Sequence, residues 1–507
     1  MNTAIVLAQG QGSKLWPLGS TRPKAAIPIG GSPLLRQQIA SLEAAGVGSI
    51  LVVANARFAA HLRFLAAGKG SHPQGAAGML AVPPSFRPTA SAGRGGTARR
   101  AAGPNGTAGE RAHRALVEVL SFDPPQGTAP ALRLALEQVE DEHVLVLYGD
   151  VLLDPGTLPR LLEAQAEDPS STFVLAVPLH PLEDPTMYLA VRVHEGRVEE
   201  MIAHPRHSIT HRLGGAFVFP RAVIQPYLAA QPGYVPAVPS GGMPPIGEAD
   251  LAQCLQMMIE DGLTVRAVEP SAFALDVDRP WDILIANHLW LDLLGQSLDH
   301  DVIHPTARIS ERAEVNGHLV VGENAVVGPG AILEGNAWID CDAVVTHGAI
   351  VGPNAYIGPR CVVRDDAWIG EHTSLGPRCK IGHCAEIHGV MFGRSTVMHY
   401  CNVWGVLGEA SDVGAGTAFG TLRFDDQPQS HRVKGRWETP RHASDATFIG
   451  DFCRTGVNAI FLPGSKVGAY SAIGPGVVVD GDVPEHSLLL LKQEIERREW
   501  GPEKYGW

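Results

Sequence analysis

The sequence predicts a two-part fold, an α/β domain with crossover helices followed by a coil whose faces are six residues long. Three observations carry this reading. Across residues 1–290, strand-length apolar runs alternate with helical stretches. From residue 303 onward, an aliphatic side chain returns at every sixth position. Gly (57) and Pro (39) fill nearly a fifth of the 507 residues, against roughly 12% in average usage, which calls for disorder or a turn-dense repeat.

In the front half, Thr3–Ala8 reads as a buried strand that runs into a glycine loop, Gln9-Gly10-Gln11-Gly12-Ser13-Lys14, with a helix at Pro33–Ala45. Further strands are expected at Ser49–Ala54, His143–Tyr148 and Ser171–Val177, and a helix at Thr128–Glu140. The loop lacks the third glycine of a dinucleotide fingerprint, since Leu15 stands there, and it lacks P-loop spacing. Residues 68–110 interrupt the alternation with ten Gly, five Pro and a single acid, Glu110, so they read as a disordered, weakly basic surface insertion.

In the back half the beat runs through Ile303, Ile309, Val315, Val321, Val327 and onward to Ile381 and Ile387. Four residues after each comes a mostly small side chain, such as Ala325, Ala331, Ala343, Cys361 and Cys379. Neither a 3.6-residue helix nor a two-residue strand repeat produces this, whereas flat faces meeting at tight corners do. The phase slips near Gly393–His399, returns at Leu407, and is broken by a loop at 423–447 before resuming at Ile449. The pattern resembles the hexapeptide-repeat left-handed parallel β-helix, and that resemblance implies a homotrimer.

The front motifs carry a second resemblance. Leu7 to Lys24 is similar to the glycine-rich signature of sugar-1-phosphate nucleotidylyltransferases. Gln126-Gly127-Thr128, Leu147-Tyr148-Gly149-Asp150 and Leu275-Asp276 through Asp282 follow in the family's order. With the repeat behind it, the chain resembles the archaeal-type bifunctional N-acetylglucosamine-1-phosphate uridylyltransferase/glucosamine-1-phosphate acetyltransferase family. That implies a Rossmann-like mixed-sheet nucleotidylyltransferase domain at 1–290, a linker at 291–300, a β-helix at 301–485 and a tail at 486–507.

The resemblance also implies site roles. Leu7, Ala8, Gly10, Gly12, Ser13, Gln126, Gly127, Thr128, Tyr148 and Gly149 would hold the nucleotide. Lys14 and Lys24 would bear on phosphate, and Asp150 with Asp276 would hold Mg²⁺. The substrates would be an NTP, UTP foremost, and a sugar-1-phosphate. In the coil, His399 would be the base of an acetyl transfer from acetyl-CoA. Several positions depart from the family. Lys14 replaces an arginine, Gln9 an alanine, and Ala203-His204 a Glu-Lys pair, while Gly370 and His388 stand where two phosphate-holding cations belong. Two readings follow: an NDP-sugar synthase whose coil is chiefly a trimerisation scaffold, or a catalytically impaired sugar-nucleotide-binding regulator.

Composition narrows the class. A net charge of −13 without a Lys/Arg-rich run argues against a nucleic-acid surface. No apolar stretch is long enough for a membrane span, and the N-terminus lacks an export layout, so a cytoplasmic protein is expected. The seven cysteines form no CxxC pair and read as free thiols. A metal site at Cys379, His383 and Cys384 is the sharper alternative, but Cys361 and Cys379 fall on corner positions of the repeat.

Overall fold

The computed structural model describes residues 2–10, 12–68, 114–123, 127–180, 183, 185–203, 205, 209–229, 249–501 and 503. Gln126, His204 and the 68–110 insertion beyond Gly68 lie outside them.

The front domain is built on a nine-stranded mixed sheet. Its strands are β1 (Thr3–Ala8), β2 (Ser49–Asn55), β3 (Leu116–Phe122), β4 (His143–Tyr148), β5 (Thr172–Pro178), β6 (Leu189–His194), β7 (Arg197–Ala203), β8 (His211–Pro220) and β9 (Val265–Val268). They stand in the order β3-β2-β1-β4-β8-β5-β9-β7-β6. The β3-β2-β1-β4 half is parallel, and β8 enters antiparallel beside β4. Its longer helices among the described residues are α1 (Leu34–Ala44), α2 (Ala59–Ala66), α3 (Thr128–Leu136), α4 (Thr157–Glu167), α5 (Leu251–Glu260) and α6 (Pro280–Ser297). Near-continuous apolar strands such as Ala4-Ile5-Val6-Leu7 are buried on both faces, as a central parallel strand requires. Two clusters, one per face of the sheet, form this core.

In the back domain, two- and three-residue strands pair in parallel one coil apart, as Val326-Val327 does with Val344-Val345. The aliphatic series and the small corner residues fill a continuous core from Leu319 to Val483. Ile303 and Val315, expected inside, are exposed because no coil lies beneath the first turn. At the slip, Glu386–Met391 pairs with Asn402–Leu407, so the coil spacing shortens from 18 residues to 16. Long six-residue strands run through this turn, with Gly389 and Gly405 at positive φ.

Two boundaries and the interior of one loop differ from expectation. Helix α6 continues to Ser297, through most of the expected linker, because its apolar side packs on the coil. The coil continues past 485, since Leu488-Leu489 pairs with Ala472-Ile473. Within the 423–447 loop, His431–Val433 and Arg436–Glu438 form an antiparallel hairpin.

The two domains pack directly against each other. Asn287 of α6 accepts from the Gly30 N–H (2.9 Å) and the Ser374 hydroxyl (2.6 Å), and donates to the His372 carbonyl (2.7 Å). Tyr356 of the coil lies so close to Gly31 that a Cβ there would stand 1.9 Å from its ring. Arg22 donates to Asp451 (2.7 Å) and Glu409 (3.1 Å) across the same junction.

Candidate active site

The carboxyl ends of β1 and β4 open onto a cleft of about 230 Å³, where ligands of open α/β sheets bind. Its lining includes Gln9, Gly10, Gly12, Ser13, Lys14 and Lys24 from the loop after β1. Gly12 sits at φ 66°, starting the short turn Ser13–Leu15, a conformation costly for other residues. Behind the lining, the Gly149 N–H donates to the Leu7 carbonyl at 2.9 Å, and a Cβ on Gly149 would meet Ala8 at 2.7 Å. Leu7, Ala8, Tyr148 and Gly149 therefore build the wall that carries the loop rather than its surface. Gln9, in place of the family's alanine, lines the cleft, and its buried Oε1 has no hydrogen-bond partner.

Beside the loop, oxygens of Asp150, Asp276 and Asp278 lie within 4.8 Å of one another. A short ladder, Asp276 opposite Val151, and a bond from the Val277 N–H to the Asp150 carbonyl (2.8 Å) fix the two segments together. Lys24 pairs with Asp150 at 2.7 Å and also with Asp278, while Lys14 reaches Asp278 at 2.8 Å. Burial disfavours the charge on Lys24, but Asp150, Asp278 and Asp276 together raise its pKa, so it stays an ammonium. Burial works against ionised Asp278 too, yet Lys24 and Lys14 hold its carboxyl below the usual range. Asp276 shifts the other way. Burial, then the charges of Asp150 and Asp278, push its carboxyl well up, and its buried Oδ1 has no partner.

Asp278 was legible only as the acid two residues after Asp276, standing where the signature carries glycine. A second unforeseen acid is Asp250, the N-cap of α5. It accepts from the Thr128 hydroxyl at 3.0 Å and lines the cleft with Gly127 and Thr128. A Cβ on Gly127 would stand 2.2 Å from the Ala249 carbonyl, so only glycine lets these segments meet.

The floor of the cleft continues into α6. Asp282 caps that helix, accepting from the Asp278 (3.0 Å) and Arg279 (2.7 Å) N–H groups, and burial raises its pKa to about 6. Arg279 Nε donates in turn to Glu438 of the hairpin at 2.5 Å.

On the coil, His399 is half-buried, with ring centroids 5.1 Å from His383 and 5.8 Å from Tyr400. His388 covers Gly370 so closely that a Cβ there would stand 1.9 Å from the ring. Glu386 accepts from Asn402 at 2.9 Å and pairs with His388 at 3.2 Å. Where two cations were expected, Gly370 and His388 thus stand beside the acid Glu386. Cys361 and Cys379 are fully buried, their thiols donating to the Gly376 and Phe392 carbonyls at 3.0 Å each. Among the described residues, the aspartate trio is the only group of three or more His, Cys, Asp or Glu residues placed to share an ion. Within the same residues no helix is long and apolar enough to cross a membrane.

Comparison with known proteins accords with this architecture. The nucleotidyl transferase family model matches residues 3–235, and the bacterial transferase hexapeptide (six repeats) model matches residues 331–365. The bifunctional protein GlmU of Methanococcus maripaludis is 25% identical over 97% of this chain and 98% of its own. The bifunctional sugar-1-phosphate nucleotidylyltransferase/acetyltransferase of Sulfurisphaera tokodaii is 24% identical over 95% and 98%. The bifunctional protein GlmU of Methanocaldococcus jannaschii is 23% identical over 97% and 98%. The chain thus joins a nucleotidyl transferase domain to a hexapeptide-repeat domain, and along nearly its whole length it is a homologue, at modest identity, of the archaeal bifunctional sugar-1-phosphate nucleotidylyltransferase/acetyltransferases.

Proposed function

We propose that the front domain transfers a nucleotidyl group from an NTP to a sugar-1-phosphate, releasing pyrophosphate, and that the coil acts chiefly as a homotrimeric scaffold. The observation that carries this is the convergence, in one cleft, of the glycine loop, two lysines and Asp278, with Asp150 and Asp276 grouped beside Asp278. UTP and an N-acetylglucosamine-type sugar phosphate are the favoured pair, on the resemblance of the front motifs to the uridylyltransferase family.

In the reaction, a phosphate oxygen of the sugar-1-phosphate attacks the α-phosphorus of the NTP. The bond to the β-phosphate oxygen breaks, and its electron pair leaves with pyrophosphate. Positioning and charge neutralisation supply most of the catalysis. Backbone N–H groups of Gly10, Gly12 and Ser13 suit the triphosphate, as turns leading into helical geometry do. Lys14 and Lys24 would exchange their carboxylate partners for phosphate oxygens on binding. The all-oxygen donor set of Asp150 and Asp276, with the unpartnered Oδ1, fits Mg²⁺, which when bound neutralises charge on the phosphates. Thr128, held by Asp250, and Gly127 would line the nucleoside side, with Gln126 beside them in sequence. Free cysteines and the demand for an NTP support a cytoplasmic setting.

A panel of NTPs and sugar-1-phosphates, assayed with Mg²⁺ for pyrophosphate release, tests the proposal. Turnover with at least one pair is expected. Tight nucleotide binding without turnover for any pair would instead establish the regulatory reading, which the altered Ala203 segment and coil face favour.

A further inference from the structure

The front cleft has a wall that the front domain does not make. Lys434, from the coil's 423–447 segment, lines it together with Gly10, Gly12, Lys14 and Lys24. It stands at the tip of the His431–Glu438 hairpin, in the two-residue turn Lys434-Gly435, with φ 46° and 82°. Such turns ordinarily take Asn, Asp or Gly in the first position, so lysine here is not chosen for the turn itself.

The hairpin is seated firmly. Glu438 is buried and accepts from Arg279 Nε at 2.5 Å, Val433 is buried among the α6 and coil residues, and Lys466 donates to the Arg432 carbonyl at 2.8 Å. His431 Nε2 donates to the Ser444 carbonyl at 2.7 Å, and its ring centroid lies 5.0 Å from that of Trp281 in α6. Arg279 directly follows Asp278, so the hairpin is tied to the same stretch that carries the carboxylates.

Charge gives the position its meaning. The cleft's other lysines are committed to aspartates, Lys14 to Asp278 and Lys24 to Asp150 and Asp278. Among the described residues, no carboxylate pairs with Lys434. An incoming phosphate ligand meets a site rich in acids, and it needs a cation that gives up no partner to meet it. We propose that Lys434, donated by the coil, binds phosphoryl oxygens of the substrate in the front site, taking up part of the cationic role that Ala203-His204 no longer fills. This rests on the phosphate-transfer reading above.

The test uses the full-length protein and the variants Lys434→Asn and Lys434→Arg. Asparagine suits the turn better than lysine, so any loss it causes reflects the missing charge rather than misfolding. KM is measured separately for the NTP and for the sugar-1-phosphate by pyrophosphate release. Lys434→Asn is expected to raise one of them about tenfold or more, the range of a lost charge-assisted hydrogen bond, and Lys434→Arg to restore most of it. The substrate whose KM moves identifies which phosphate is held. Unchanged KM and kcat in Lys434→Asn, with an active wild type, overturns the inference while leaving the enzyme reading intact. If the wild type does not turn over, UTP affinity by calorimetry replaces KM. A roughly tenfold loss in Lys434→Asn then supports the inference, equal affinities overturn it, and no binding by the wild type overturns both readings.

Discussion

The cleft and the coil face around His399 differ in how their side chains are tied to the fold. In the cleft, charges from three distant segments are brought into contact, Lys24 against Asp150 and Asp278, and Asp250 accepts from Thr128 beside them. On the coil, the outward positions hold Gly370, His388 and Asn402, while the inward series beneath them is buried. A repeat is stabilised by what points inward, so its outer face can lose a site without losing the fold. A cleft made from strand ends has no such separation, because the residues that line it also hold the segments together.

The comparison can be broken by substitution, taking the largest effect first. Arg22→Met leaves buried Asp451 without its cation, and should cost about 3–5 kcal/mol of unfolding free energy by denaturant titration. A near-zero change would mean that the two domains do not depend on this junction. Asp276→Asn should lower pyrophosphate release roughly 10²–10³-fold with the melting profile kept, and wild-type turnover in the variant would remove Asp276 from the cation site.

A third effect is read from pH. Burial first, then the charge of Lys466, against the bond with the Ser444 carbonyl, pushes the His431 pKa down to about 4 from 6.5. Between those values the unfolded chain binds a proton that the folded chain does not. This group's contribution is therefore intact above about pH 6.5 and lost as pH falls toward 4, by about 3 kcal/mol. Stability measured at pH 7 and 4.5 should fall more steeply in the wild type than in His431→Gln, and equal slopes would exclude His431 as the cause. The smallest effect belongs to the coil face. His399→Ala should leave pyrophosphate release unchanged, and thiol release from acetyl-CoA with glucosamine-1-phosphate should stay near background in both proteins. Strong release by the wild type, lost in the variant, would restore the coil as a second catalytic site.

Much of the architecture was legible before any coordinates. The strands Thr3–Ala8 and His143–Tyr148 and the helix start at Thr128 stand where the apolar pattern placed them. The corner role of Cys361 and Cys379 also followed from their phase in the repeat. Less visible were the links between remote segments. Asp250 reads locally as a helix cap, Asn287 only as the residue that follows the Leu275–Asp282 signature block at the family's distance, and the 423–447 segment as a loop, because none has a periodic signature.

By itself the sequence determined the coil, since each six-residue face has the same surroundings and the pattern alone states which residues turn inward. It likewise determined the β1 loop and the ends of the signature strands, where short-range chemistry chooses glycine and small residues. Only the tertiary structure decided that Asp278 would join Lys14 and Lys24, that Arg22 would meet Asp451, and that a hairpin from the coil would carry Lys434 into the cleft. The first pairing depends on how the front domain closes on itself and the other two on how the two domains dock, and both are set by burial and charge between residues hundreds of positions apart, which no local pattern records.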